Sequence, residues 1–205
     1  MTPPAGYEYL LEHFPDYDYR RPKQPERVVF SRPDNITGHQ QRAFNVWWAI
    51  EQCWKTGGVG LEIGSGGVHT PWGLSTDAYS TDNHPVYGGG CHPHMVVPGH
   101  DLSVFGDNSF SLLLANHVVE HLPGDVVQIF RQHWLRVLKP GGVLAVILPD
   151  QTYVDVLKID KDHKHAWTAR QFHDQVLVPL MDAAYPMEWD TLGNKFSYNA
   201  VVRKR

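Results

Sequence analysis

Three groups of residues have the types and spacing to do chemistry. The first is residues 59–68, VGLEIGSGGV, an apolar run that stops in Gly64, Ser65, Gly66 and Gly67. Glycine has no Cβ, so such a turn can take unusual dihedrals and its backbone can come within contact distance of a nucleoside or a phosphate. A turn that merely joins two elements has the same composition. The second group is HVVEH at 117–121, which offers His117 and His121 as general bases and Glu120 as a local cap or partner. Its spacing also fits HxxEH, the inverted zinc-peptidase signature, whose histidines must share one face of a long helix. A strand precedes these residues and Pro123 and Gly124 follow at once, so that helix is lacking. The third group is Cys91, His92 and His94 with His84 and His100. Adjacent, irregular spacings without a second shell do not define a metal site, and no metal ligand is assigned.

The elements that must position these residues can be read in order. Residues 1–37 are rich in Pro, Tyr, Arg and Asp without a sustained period, and form an N-terminal arm ahead of a domain at 38–205. In 38–55 the apolar residues Ala43, Val46, Trp47, Ile50 and Trp54 recur at helical steps, and Gly57 and Gly58 supply a stop. This predicts a helix lying against the sheet just before a first strand at 59–63. Pro71 and Gly73 leave no room for a long helix after the glycines, so a short crossover leads to a second strand at 78–81 that ends at Asp82. A third strand is expected at 95–97, with Asp101 just past its end, and a fourth at 110–115, FSLLLA. Asp125 caps a helix over 125–138 whose stripe is Val126, Phe130, Trp134, Val137 and Leu138. Residues 139–142, KPGG, end it, and 143–148 is a fifth strand. A further helix over 169–184 is interrupted near Pro179. Strands near 187–191 and 196–203 are joined by a short turn at Gly193 and Asn194. Strand, helix and strand in this order imply an α/β fold: a Rossmann-like doubly wound sheet, mostly parallel, with a C-terminal antiparallel hairpin and three layers.

Composition excludes several function classes. A net charge of -4 without basic runs argues against a nucleic-acid partner. The longest apolar run is too short to span a bilayer, so no membrane role is expected. Two cysteines outside any CxxC pair define no disulfide framework, and the expected setting is cytoplasmic and reducing.

A dinucleotide fingerprint needs a glycine where His69 stands. The pattern instead resembles the class I S-adenosylmethionine-dependent methyltransferases, in particular the small-molecule group called type 11. Five segments over about 59–150 carry the likeness: LEIGSGG, the acid in STDN, HDL, DNSFSLLLANHVVEHL and LKPGG. The resemblance implies S-adenosylmethionine as cofactor, a small-molecule acceptor and a strand order 3214576. It implies that Glu62, Gly64, Ser65, Gly66 and Gly67 belong to the loop that cradles the methionine end. By the same likeness Asp82 binds the ribose hydroxyls, Asp101 and Leu102 meet the adenine, and Asn116 and His117 stand where the methyl meets its acceptor. Asp77 competes with Asp82 for the ribose. The long first helix is missing, and Val68 stands where a third glycine is usual.

Methyl transfer from a sulfonium loses charge, so alignment and exclusion of water dominate. A base is needed only for a hydroxyl acceptor, and His117 and His121 are the candidates. The arm and residues 150–171 would close the substrate side. His163, Lys164, His165 and Trp167 suit a sugar or phosphate conjugate there, although a solvated loop has the same composition. A non-catalytic module binding the cofactor or a nucleoside would keep the same motifs. Oligomeric state is not legible.

Overall fold

The computed structural model describes residues 59–66, 73–77, 93–181 and 196–205. Six strands form one sheet, β1 Gly60–Ile63, β2 Gly73–Asp77, β3 Met95–Val96, β4 Phe110–Asn116, β5 Leu138–Pro149 and β6 Ser197–Arg203. Their order is β3-β2-β1-β4-β5-β6. The first five run parallel and β6 runs antiparallel to β5. Because β1 has β2 on one side and β4 on the other, the winding reverses there, and an open α/β sheet has its crevice at the carboxyl ends of such strands.

Both faces of the central strands are buried. Leu61, Ile63, Leu113, Ala115, Leu144 and Val146 share one core with the helices, while Leu112, Leu114, Val143, Ala145 and Ile147 are buried on the other face. This is why the runs LLLA and VLAVIL are continuously apolar rather than alternating. The helix expected at 38–55 lies outside the described residues, as does the N-terminal arm.

Helix α1 (126–137) begins where expected. Asp125 Oδ1 accepts hydrogen bonds from the amides of Val127 at 2.8 Å and Gln128 at 3.2 Å. Its middle is a π turn, Phe130–Trp134, in which the two end rings stack at 4.5 Å. Trp134 Nε1 donates to Gly99 O at 2.7 Å. Arg136 donates to the carbonyls of Phe105 and Leu102, both at 2.9 Å. These bonds fix the turn after β3 onto α1. A short helix α2, Val156–Ile159, follows β5. Helix α3 (169–181) starts with a reciprocal capping box between Thr168 and Gln171. The expected interruption takes the form of a second π turn, His173–Leu177, just before Pro179, whose missing N–H leaves a carbonyl one turn back without its usual donor.

Two expectations are corrected. The second strand is Gly73–Asp77, because the chain already reaches a pairing position beside β1 at Gly73; residues 78–81, where it was expected, lie outside the described residues. Residues 139–142 do not precede the fifth strand. They form a bulge inside it, since Phe110 pairs with Leu138 but Leu112 with Val143, and Gly141 takes φ +76°. The expected C-terminal antiparallel strand is present as β6, which runs antiparallel to β5 in the place that the order 3214576 gives its seventh strand. The strand expected at 187–191 lies outside the described residues.

Candidate active site at the carboxyl edge of the sheet

Ile63 pairs with both Thr76 and Ala115, so the chain leaving β1 at Gly64 lies between the ends of β2 and β4. Gly64 has φ +66° and Gly66 φ +57°. A Cβ on Gly64 would overlap Val118 Cγ2, so glycine is required there by the protein's own packing. Two polar side chains end in this region without partners among the described residues. Ser65 Oγ, and both amide atoms of Asn116, are buried and make no hydrogen bond. Buried polar groups are normally satisfied, so these orphaned atoms at the ends of β1 and β4 mark a place for a polar ligand.

His117 follows at once with φ +54°, a conformation that costs a non-glycine residue roughly 1–2 kcal/mol. Its amide donates to Ile147 O at 2.9 Å. The ring is held at both nitrogens, Nδ1 lying 3.2 Å from Glu120 Oε1 and Nε2 3.2 Å from Ser197 Oγ. The Glu120 side chain is 1% exposed and that of His117 39%. A carboxylate only accepts, so the hydrogen of a neutral ring belongs on Nδ1, and Nε2 is left as the acceptor facing solvent and Ser197. Strained backbone and a ring fixed by a buried acid are the arrangement of a positioned base.

Residues after β5 close over this turn. The amides of Lys164 and His165 donate to Glu120 O at 2.7 and 3.1 Å, and His165 Nε2 is 2.9 Å from Leu122 O. Asp150 bridges to Trp167, and His165 stacks on Trp167 at 4.9 Å. The segment is therefore built into the protein rather than a solvated loop. Its histidines are engaged with the chain itself, and of the four residues singled out only Lys164 is exposed.

The structure thus brings Gly64, Ser65, Gly66, Asn116 and His117 together at adjacent strand ends. Glu62 is buried within β1, in register with Ser75 and Leu114. Asp101 is exposed in the turn after β3, where its carboxylate accepts the Ser103 amide at 2.9 Å. That bond, with smaller help from His133 and His100, holds its carboxyl below the usual range. Leu102, expected beside an adenine ring, is instead a fully buried core residue, and its amide is taken by His133 Nδ1 at 3.2 Å. His121 does not join His117. Its ring packs edge-on against His163 at 4.5 Å. Val119–His121 is a single 3-10 turn, so the HxxEH helix is absent. Gly67, Asp82, His84, Cys91 and His92 lie outside the described residues, and the acid that ends β2 is Asp77.

Sequence reasoning missed Ser197, which reaches His117 only through the antiparallel pairing of β6 and leaves no local signal. The role of Glu120 was visible in its three-residue offset from His117, a spacing at which side chains on one turn meet.

The comparisons with known proteins agree with this layout. Residues 76–146 match the family described as "Methyltransferase domain". A solved S-adenosylmethionine-dependent methyltransferase from Archaeoglobus fulgidus aligns at 12% identity over 97% of this chain and 99% of that one, with a TM-score of 0.52. One from Mesorhizobium loti aligns at 13% identity over 71% and 90%, with a TM-score of 0.52. The YcgJ protein from Bacillus subtilis aligns at 19% identity over 64% of each chain, with a TM-score of 0.45, so this chain spans less than two thirds of that relative. At such identities the likeness establishes the fold. No curated protein matches the chain.

Proposed function

We propose that the chain is a class I S-adenosylmethionine-dependent methyltransferase, that it methylates a hydroxyl of a small polar molecule and that His117 is the base. The observation that carries this reading is the imidazole of His117 held between a buried carboxylate and a serine hydroxyl at the end of β4.

The cofactor, when bound, supplies an electrophilic methyl on a sulfonium. The residues present fit it: the glycine turn at 64–66, the unpartnered atoms of Ser65 and Asn116, and acids at the ends of β2 and β3 would hold its polar groups. Of the acids after β2 we favour Asp77, since it ends the strand beside Gly64, over Asp82. Asp101 stands ready after β3. His117 Nε2 would take the proton from the acceptor hydroxyl, and Ser197 would yield its place beside that nitrogen to the acceptor. Glu120 keeps the ring oriented and stabilises the imidazolium that results. The turn at 163–165, bonded to Glu120 O, limits water at this point. Exposed Lys164 favours an acceptor bearing phosphate or another anion, such as a sugar conjugate. The described helices include none long and apolar enough to cross a membrane; a cytoplasmic setting is part of the proposal, supported by two cysteines outside any CxxC pair.

Turnover is read as S-adenosylhomocysteine formed with a panel of sugars, sugar phosphates and phenols. His117→Asn is the informative variant, because asparagine tolerates positive φ while removing the base. Turnover should fall about 100-fold or more with cofactor affinity unchanged. Full turnover in that variant removes His117 from the chemistry, and cofactor binding without turnover on any acceptor favours a binding module.

A further inference from the structure

We propose that Glu120, His121 and His163 form a binding site for one divalent ion of the zinc class, clamping the segment after β5 onto the turn after β4. The three side chains each offer a ligand atom, and these atoms lie within 4.8 Å of one another. Among the described residues they are the one such group. The site differs from the HxxEH reading of the sequence in that it keeps Glu120 and His121 but takes His163 from a different segment in place of His117.

Two further observations point to an ion. His163 Nδ1 lies 2.6 Å from Val156 O, so Nδ1 carries the hydrogen and donates it, leaving the Nε2 lone pair free. A second-shell bond to the far nitrogen is what fixes the tautomer of a metal-binding histidine. That Nε2 is 3.9 Å from Glu120 Oε1, and the His163 side chain is 7% exposed. The second oxygen of Glu120, Oε2, is buried and has no hydrogen-bond partner, on a side chain 1% exposed. A buried carboxylate oxygen left unpaired is costly, and a cation would satisfy it.

The donor set selects the metal. Two imidazoles and one carboxylate suit zinc or cobalt, whereas magnesium and calcium prefer oxygen throughout. Three protein ligands leave one tetrahedral position for water. Glu120 Oε1 faces both His117 Nδ1 at 3.2 Å and His163 Nε2 at 3.9 Å, so one carboxylate borders both sites, but the metal site requires no methyl transfer and stands whatever the acceptor is.

The test uses the full chain, free of any histidine tag, with zinc and cobalt as probes. Metal content after purification and a cobalt titration followed by visible absorption should show one equivalent bound with the bands of a four-coordinate ion. His163→Asn keeps a donor toward Val156 O while losing Nε2, so it should fold, as its circular dichroism would verify. It should bind the ion at least about 10-fold more weakly, as should His121→Ala. His100→Ala, at an exposed histidine, should bind as the parent does. Equal binding by the parent and His163→Asn, or loss of the ion on Cys91→Ser instead, overturns the site. Because the readout is metal content, failure here leaves the methyltransferase reading untouched, and failure of turnover leaves the metal site untouched.

Discussion

Nδ1 of His117 stands 3.2 Å from Oε1 of Glu120, an acid whose side chain is almost wholly enclosed. The pair is three residues apart on one turn, yet the histidine faces outward and the glutamate inward. Glu120→Gln keeps the shape but loses the charge that orients the ring. S-adenosylhomocysteine formation should fall about 100-fold while the cofactor's dissociation constant stays put. A rate equal to the parent's would mean that the acid has no part in orienting the base.

Gly64 is fixed by two independent constraints, a left-handed φ and the methyl of Val118. Gly64→Ala should therefore lower unfolding free energy by about 2 kcal/mol or more in urea titrations. Adding Val118→Ala should return only the steric part, leaving roughly 1–2 kcal/mol from the dihedral. Complete recovery in the double variant would show that the backbone there relaxes freely.

Tyr198 has its hydroxyl buried without a hydrogen-bond partner. Burial first, then the charges of Asp150 and Glu120, push its ionisation far above the ordinary value of 10.0. The unfolded chain releases this proton near pH 10 while the folded chain retains it, so the folded state binds more protons above that pH. Stability from this group is complete below about pH 10 and declines as pH rises further. Tyr198→Phe should unfold less readily in alkali and gain about 1 kcal/mol at neutral pH, by removing an unsatisfied group. Parallel alkaline melts for the two proteins would contradict this account.

Asp77 and Asp82 can be told apart by calorimetry. Asp77→Asn should weaken S-adenosylmethionine binding by about 2 kcal/mol, the size of a charge-assisted hydrogen bond, and Asp82→Asn by much less. The reverse ranking would move the ribose contact beyond the end of β2.

The parts of this fold that were legible are those where local pattern and tertiary demand coincide. The run FSLLLA is apolar on both faces because both faces of β4 are covered, and Asp125 caps α1 because only its own neighbours are involved. The second strand was misplaced because GLSTD lacks a strand composition, and what makes it a strand is pairing with Gly60 through Ile63. The site divides in the same way. Gly64, Asn116 and His117 follow directly from strand ends that the sequence marks. Ser197 and His163 enter through β6 and the segment after β5, and the bonds that fix them span long separations with no periodic trace. Leu102 was misjudged because an apolar residue after an acid fits a ligand-facing ring contact and a core position equally well, and burial decided for the core.

β6 is made after every other strand described, yet it lies against β5, and its first residue reaches His117 across 80 positions. On the ribosome, the turn after β1 and the ends of β4 and β5 emerge well before their last neighbour. A nascent chain could thus assemble the nucleoside side of the crevice while the imidazole still lacks its serine, so the acceptor half of the site is the later one to mature during synthesis.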